Sequence, residues 1–128
     1  MKNKLRKIVI DNNEYLYSVT DQLNAGTETN TLKLKVFLSG QKQTPLIIEF
    51  ITVDHYIMGQ PLKSGVKLIN KITNSEDEVN MNEPKYIRQF ILLGLKNGWS
   101  GVNSIAVQDG LGYLHQLGFE TDQLIFRK

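Results

Sequence analysis

The sequence predicts an α+β fold: an antiparallel β-meander of four to five strands packed against one main helix, with a short C-terminal helix or strand. Three observations predict it. Residues 31–38 alternate apolar and polar side chains, the period of two of a strand with one face in a core. Residues 82–99 (NEPKYIRQFILLGLKNGW) carry an apolar stripe at helical spacing between a start signal and a stop signal. The other apolar runs are short and separated by Gly, Asn and Asp, as in consecutive hairpins. With 128 residues and 41% apolar side chains, the chain is long enough to bury a core without staples and is expected to form one domain over residues 1–128.

Each element has its own signal. Residues 6–11 (RKIVID) and 14–19 (EYLYSV) read as two short strands around Asn12-Asn13, since Asn accepts the left-handed backbone of a tight hairpin. Residues 20–30 are polar and read as a loop. In residues 31–38, Leu32, Leu34, Val36 and Leu38 take the core face, opposite Lys33 and Lys35. SGQKQTP reads as a turn. In LIIEFITV (46–53), Leu46, Ile48 and Phe50 share one face, while Ile47, Glu49 and Ile51 share the other. A strand apolar on both sides is expected to be central and covered. Residues 54–65 form a connector. Residues 66–72 make a further strand, with Val66, Leu68 and Asn70 on one face, and TNSEDEVN reads as a loop.

In the helical segment, Asn82 is the expected N-cap, Glu83 suits the positive helix end, and Pro84 sits in the first turn. Tyr86, Ile87, Phe90, Ile91, Gly94 and Leu95 form the inward stripe; Lys85, Arg88, Gln89 and Lys96 hold the other side, with Leu92 among them. Gly94 allows close approach to the sheet. Gly98 fits the left-handed C′ position, with Trp99 packing back on the helix. Residues 102–107 read as a short strand, residues 109–118 as a short helix with Leu111, Leu114 and Leu117 inward, and residues 121–126 as a terminal strand or irregular tail.

Zero cysteines remove disulfides, thiolate nucleophiles and thiolate metal sites, and suit a reducing compartment. The apolar run in MKNKLRKIVI is too short for a signal-peptide core of about 7–15 residues, and no run approaches the ~20 needed to span a bilayer. A soluble, cytoplasmic protein is expected, without a membrane partner. The two histidines match no zinc spacing, and residues 58–65 (MGQPLKSG) lack the order of a phosphate loop, so neither metal nor cofactor is expected. The turn reading of Asp109-Gly110 outweighs that of an acid catalyst.

Two kinds of site remain. Asp54, His55 and His115 are the only acid–base set available to a small-molecule enzyme, since His titrates near neutrality and a carboxylate can orient it. Trp99, Tyr56, Arg88 and Lys96 form the candidate protein-binding set: an aromatic anchor, if Trp99 is exposed, with cations from the polar face of the helix. Lys2, Lys4, Arg6 and Lys7 form a basic N-terminus that can touch phosphate, and Tyr17 with Lys33 and Lys35 resembles an aromatic-plus-basic stacking face. A net charge of +2 is low for a nucleic-acid binder.

In outline, Pro84, the Ile87/Phe90/Ile91 stripe and Asn97-Gly98-Trp99 resemble small uncharacterised bacterial α+β domains in which a β-meander precedes a Pro-led helix ending in Gly-Trp. The resemblance implies an immunity-like or accessory protein. It carries over no catalytic residue. The expected function is therefore a non-enzymatic protein-binding module whose partner is another protein or a second copy of the chain. The alternatives are a small-molecule enzyme using His55 and His115, and a weak nucleic-acid binder through the N-terminus.

Overall fold

The computed structural model describes residues 5–24, 26–53 and 60–125, and of Gln123 the backbone alone. Asp54, His55 and Tyr56 lie outside the described residues, as do Lys2 and Lys4. The fold is α+β and mostly strand, with a five-stranded sheet, a two-stranded sheet and short helices.

Strands β1 (Arg6–Ile10) and β2 (Asn13–Asn24) form a hairpin across Asp11 and Asn12, whose φ values are 50° and 68°. The turn sits one residue earlier than Asn12-Asn13, because Ile10 pairs with Asn13 and a two-residue turn needs positive φ at both central positions. β2 runs through residues 20–24, expected as loop, because β3 (Thr29–Leu38) supplies a partner down to Asn24↔Thr29. β4 (Gln41–Val53) starts right after Ser39-Gly40, so most of SGQKQTP is strand. Pro45 is tolerated there because the β3–β4 ladder is interrupted: Val36 pairs with Leu46 and Leu38 with Gln41, with a bulge between.

The sheet order is β1-β2-β3-β4-β7, antiparallel except at one edge. There β7 (Gln108–Asp109) runs parallel to β4 beside Ile48 and Glu49. Residues 102–107, expected as a strand, form none. One sheet face carries Tyr15, Tyr17, Leu32, Leu34, Val36, Leu46, Ile48 and Phe50, all buried in one apolar cluster with helix residues. The other face is less covered among the described residues, contrary to the expectation that β4 is covered on both sides: Ile51 is 50% exposed and Ile47 is partly exposed, although Phe37 of β3 is buried there.

The longest described helix, α2 (Pro84–Lys96), lies on the buried face. Its N-cap is Glu83, not Asn82. Pro84 takes the first helical position and holds the residue before it extended, at φ −95° and ψ 121°. Asn82 instead donates through Nδ2 to the Lys63 carbonyl. At the other end Gly98 has φ 114°, and the Trp99 amide donates to the Gly94 carbonyl at 2.9 Å, the closing bond of a Schellman motif. A Cβ at Gly94 would collide with Leu46, so the missing side chain sets how close the helix sits to β4.

Helix α1 (Pro61–Ser64) opens with Gln60, whose side chain accepts from the Leu62 amide. Strands β5 (Val66–Asn70) and β6 (Ser75–Val79) form the second sheet, so the acidic run expected as loop is an edge strand facing Lys67 and Ile69. On the other side of β5, the Glu120 amide donates to the Ile69 carbonyl and the Lys71 amide to the Gly118 carbonyl. Helix α3 (Gly110–Gln116) buries Leu114 and Tyr113, with Leu111 and Leu117 half-buried, and Asp109 caps it. The segment expected as a terminal strand or irregular tail contains helix α4 (Asp122–Ile125), which sends Leu124 into the core. No described helix is long and apolar enough to cross a membrane.

Candidate functional site

Helix α2 is held on its inner side by large rings. Phe90 meets Phe50 edge-on with centroids 5.2 Å apart. Trp99 is 2% exposed, stands 5.9 Å from the Tyr15 ring, and donates through Nε1–H to the Thr44 carbonyl at 2.9 Å. Trp99 is thus a core residue that ties the helix end to β4. Of the two readings of Trp99, closure of the helix end against the core holds and the exposed binding anchor is excluded: the Schellman turn folds the ring back where it can bury its area and satisfy its donor.

The outer side of the same helix is different. Arg88, Leu92 and Lys96 are spaced four residues apart, so they fall within roughly 80° of arc and span about 12 Å along the axis. All three are exposed, Leu92 by 38%. Lys85, also exposed, has its ammonium 3.6 Å from Glu83 and over the Tyr86 ring. Among the described residues, Arg88 and Lys96 have no ion-pair partner. The result is a fixed ridge with two available cations on either side of an apolar side chain. It can bury Leu92 and match two anionic groups.

His115 sits elsewhere, at the exposed end of α3. Its Nε2 lies 2.6 Å from Oγ1 of Thr121, which is buried. With Lys71, Ile72, Gly118, Phe119, Glu120 and Asp122 it lines a cavity of about 470 Å³. Lys71 pairs with Glu120 at 3.4 Å across this rim. Among the described residues, no three His, Asp or Glu side chains converge as a metal site. The hydrogen bond to Thr121 fastens α3 to the segment before α4, a structural use for the imidazole.

Of the basic N-terminal set, Arg6 and Lys7 lie among the described residues. Lys7 pairs with Glu14 at 3.4 Å on the face of the β1–β2 hairpin. The stacking face is overturned by register: Tyr17 pairs with Val36 and is buried on the core face, while Lys33 and Lys35 point to the opposite side.

Sequence reasoning missed one polar cluster. The Gln60 side chain donates to the backbone and side-chain oxygens of Asn30 and accepts from Thr52 and the Leu62 amide. Lys63 reaches Asp21 at 2.8 Å beside it. No buried side-chain nitrogen or oxygen among the described residues lacks a partner, so this cluster is a satisfied joint between α1 and the sheet. The Tyr15, Tyr86 and Tyr113 hydroxyls are pushed above the ordinary tyrosine value, chiefly by burial. Tyr86 donates to the Glu78 carbonyl and Tyr113 to Gln108 Oε1, so these rings lock elements together in their neutral form.

Compared with protein-family models, with curated proteins and with solved structures, the chain matches none.

Proposed function

We propose that the chain is a non-enzymatic protein-binding module, of the immunity-like or accessory kind, and that it works in the cytoplasm, which a cysteine-free sequence suits. The observation that carries this reading is the outer ridge of α2, where Arg88 and Lys96 stand on either side of exposed Leu92 without ion-pair partners among the described residues. The inner face of that helix is locked by Phe90, Gly94 and the Trp99 turn, so the backbone of the ridge is pre-organised and binding has only its side chains to order.

The test is capture from native-host lysate with tagged protein, comparing the parent chain with Arg88→Glu/Lys96→Glu after circular dichroism confirms the fold. One dominant protein retained by the parent and lost by the variant is the expected result. Equal capture by both, or no specific protein, would sink the reading.

A second reading, small-molecule chemistry at His115, is favoured by the cavity beside it. A small carboxylate or phosphate that raises the melting temperature of the parent but not of His115→Ala would turn the assignment toward it.

A further inference from the structure

The chemistry of the ridge narrows the partner, resting on the reading above. We infer that α2 docks on an acidic protein surface that presents an apolar side chain between two carboxylates, matching cations carried about 12 Å apart along the helix backbone. Arg88, Leu92 and Lys96 supply the complement: cation, apolar centre, cation.

Two copies of this chain do not fit ridge against ridge. In an antiparallel pairing centred on Leu92, Arg88 faces the other copy's Lys96. In a parallel one, Arg88 faces Arg88. Both put like charges together beside a desolvated leucine, an arrangement that suppresses association.

A nucleic acid fits less well for two reasons. Leu92 occupies the middle of the ridge, where a phosphate backbone offers nothing apolar to bury it. Beyond the other end of the helix, where Lys85 pairs with Glu83, the surface turns acidic along β6. Glu83 precedes its first turn, and Tyr86 donates to the Glu78 carbonyl, so β6 with Glu76, Asp77 and Glu78 adjoins that turn. A long polyanion lying along α2 meets that acidic end. A compact acidic patch can sit on the C-terminal two turns alone.

The probes are three: a synthetic helical peptide with Glu at positions 1 and 9 and Leu at position 5 of its outward face, the same peptide with both Glu changed to Lys, and a 12-base-pair DNA duplex. Each is titrated into the isotope-labelled full chain while backbone amide shifts are followed. The acidic peptide is expected to move the amides of residues 88–96, to weaken as salt rises, and to bind at least about tenfold more tightly than the lysine peptide. Arg88→Glu/Lys96→Glu is expected to reverse that preference, a result that mere loss of folding cannot produce. The inference fails if the lysine peptide binds as well as the acidic one, if the duplex moves the ridge more strongly, or if no probe moves residues 88–96. The two levels separate cleanly. A lysate partner that depends on Arg88 and Lys96 but docks through a neutral or basic surface overturns this inference and leaves the binding-module reading standing. Lysate capture that is unchanged by the charge reversals overturns the reading itself.

Discussion

The five-stranded sheet under α2 and the two-stranded sheet beside α3 are held in different ways. The large sheet closes by side-chain area: Leu32, Leu34, Val36, Leu46, Ile48 and Phe50 are all fully buried against helix residues. The small sheet has a short apolar row and relies on directed hydrogen bonds. Asn70 is its centre. Its Oδ1 accepts from the Ile72 and Thr73 amides, and its Nδ2 donates to the Leu117 carbonyl. The difference shows where function has room. A surface on α2 inherits the rigidity of the large core, whereas the groove at His115 is built on the small, polar region.

The largest effect should come from the large core. Trp99→Ala removes a buried ring and leaves the Thr44 carbonyl without its donor; a loss of about 3–5 kcal/mol is expected by urea denaturation followed by circular dichroism. A loss below about 1 kcal/mol would mean that the helix end is not tied to β4 as described. Gly110→Ala comes next. Its Cβ would collide with the Phe50 ring, and a loss of about 2–3 kcal/mol is expected. Gly98→Ala, where a Cβ meets nothing but φ is 114°, is expected to cost less, about 1–2 kcal/mol, and separates collision from backbone strain.

Asn70→Ala tests the small region. Three hydrogen bonds are lost, and about 2 kcal/mol is the expected cost. Hydrogen exchange sharpens the comparison: the Lys71 and Glu120 amides, which bind the Gly118 and Ile69 carbonyls, should exchange faster, while those of β3 hold. Equal acceleration in both sheets would show that they open as one unit.

A smaller effect is expected with pH. Burial raises the Tyr15, Tyr86 and Tyr113 hydroxyls above the ordinary value of 10.0, so the folded state favours their neutral form. Their contribution is complete below the unfolded tyrosine pKa and is lost as pH rises through the higher folded values. Melting temperature should therefore fall once pH passes about 10, and Tyr86→Phe should blunt that fall. A small stability effect, about 0.5–1 kcal/mol, is expected for Arg88→Glu/Lys96→Glu: neither side chain has an ion-pair partner among the described residues, but Lys96 leaves the negative end of the helix. A cost that small leaves the fold intact, so the pair can probe binding.

Much of α2 was legible in the residues themselves. The inward stripe, the close approach at Gly94, the left-handed Gly98 and the half-exposed Leu92 all follow from helical spacing and from backbone preferences that act within a few residues. The N-cap was misplaced by one residue because Pro84 outweighs the capping preference of Asn82. β6 was missed because SEDEV has no apolar alternation; it is a strand only because β5 pairs with it. The cations of the candidate ridge were readable as a polar helix face. Their lack of ion-pair partners among the described residues was not, since that depends on where Glu83 and the other carboxylates end up.

By itself, then, the sequence determined what short-range physics controls: strand periodicity from Leu32 to Leu38, the helix from Pro84 to its glycine stop, and the absence of thiol chemistry. Tertiary structure decided what depends on distant partners. It gave the Trp99 donor the Thr44 carbonyl, left Ile51 of β4 half exposed, placed β7 parallel to that strand, and tied His115 to Thr121. The reason is the same in each case: burial and hydrogen-bond pairing are set by residues far apart along the chain, and no local pattern encodes which of them will meet.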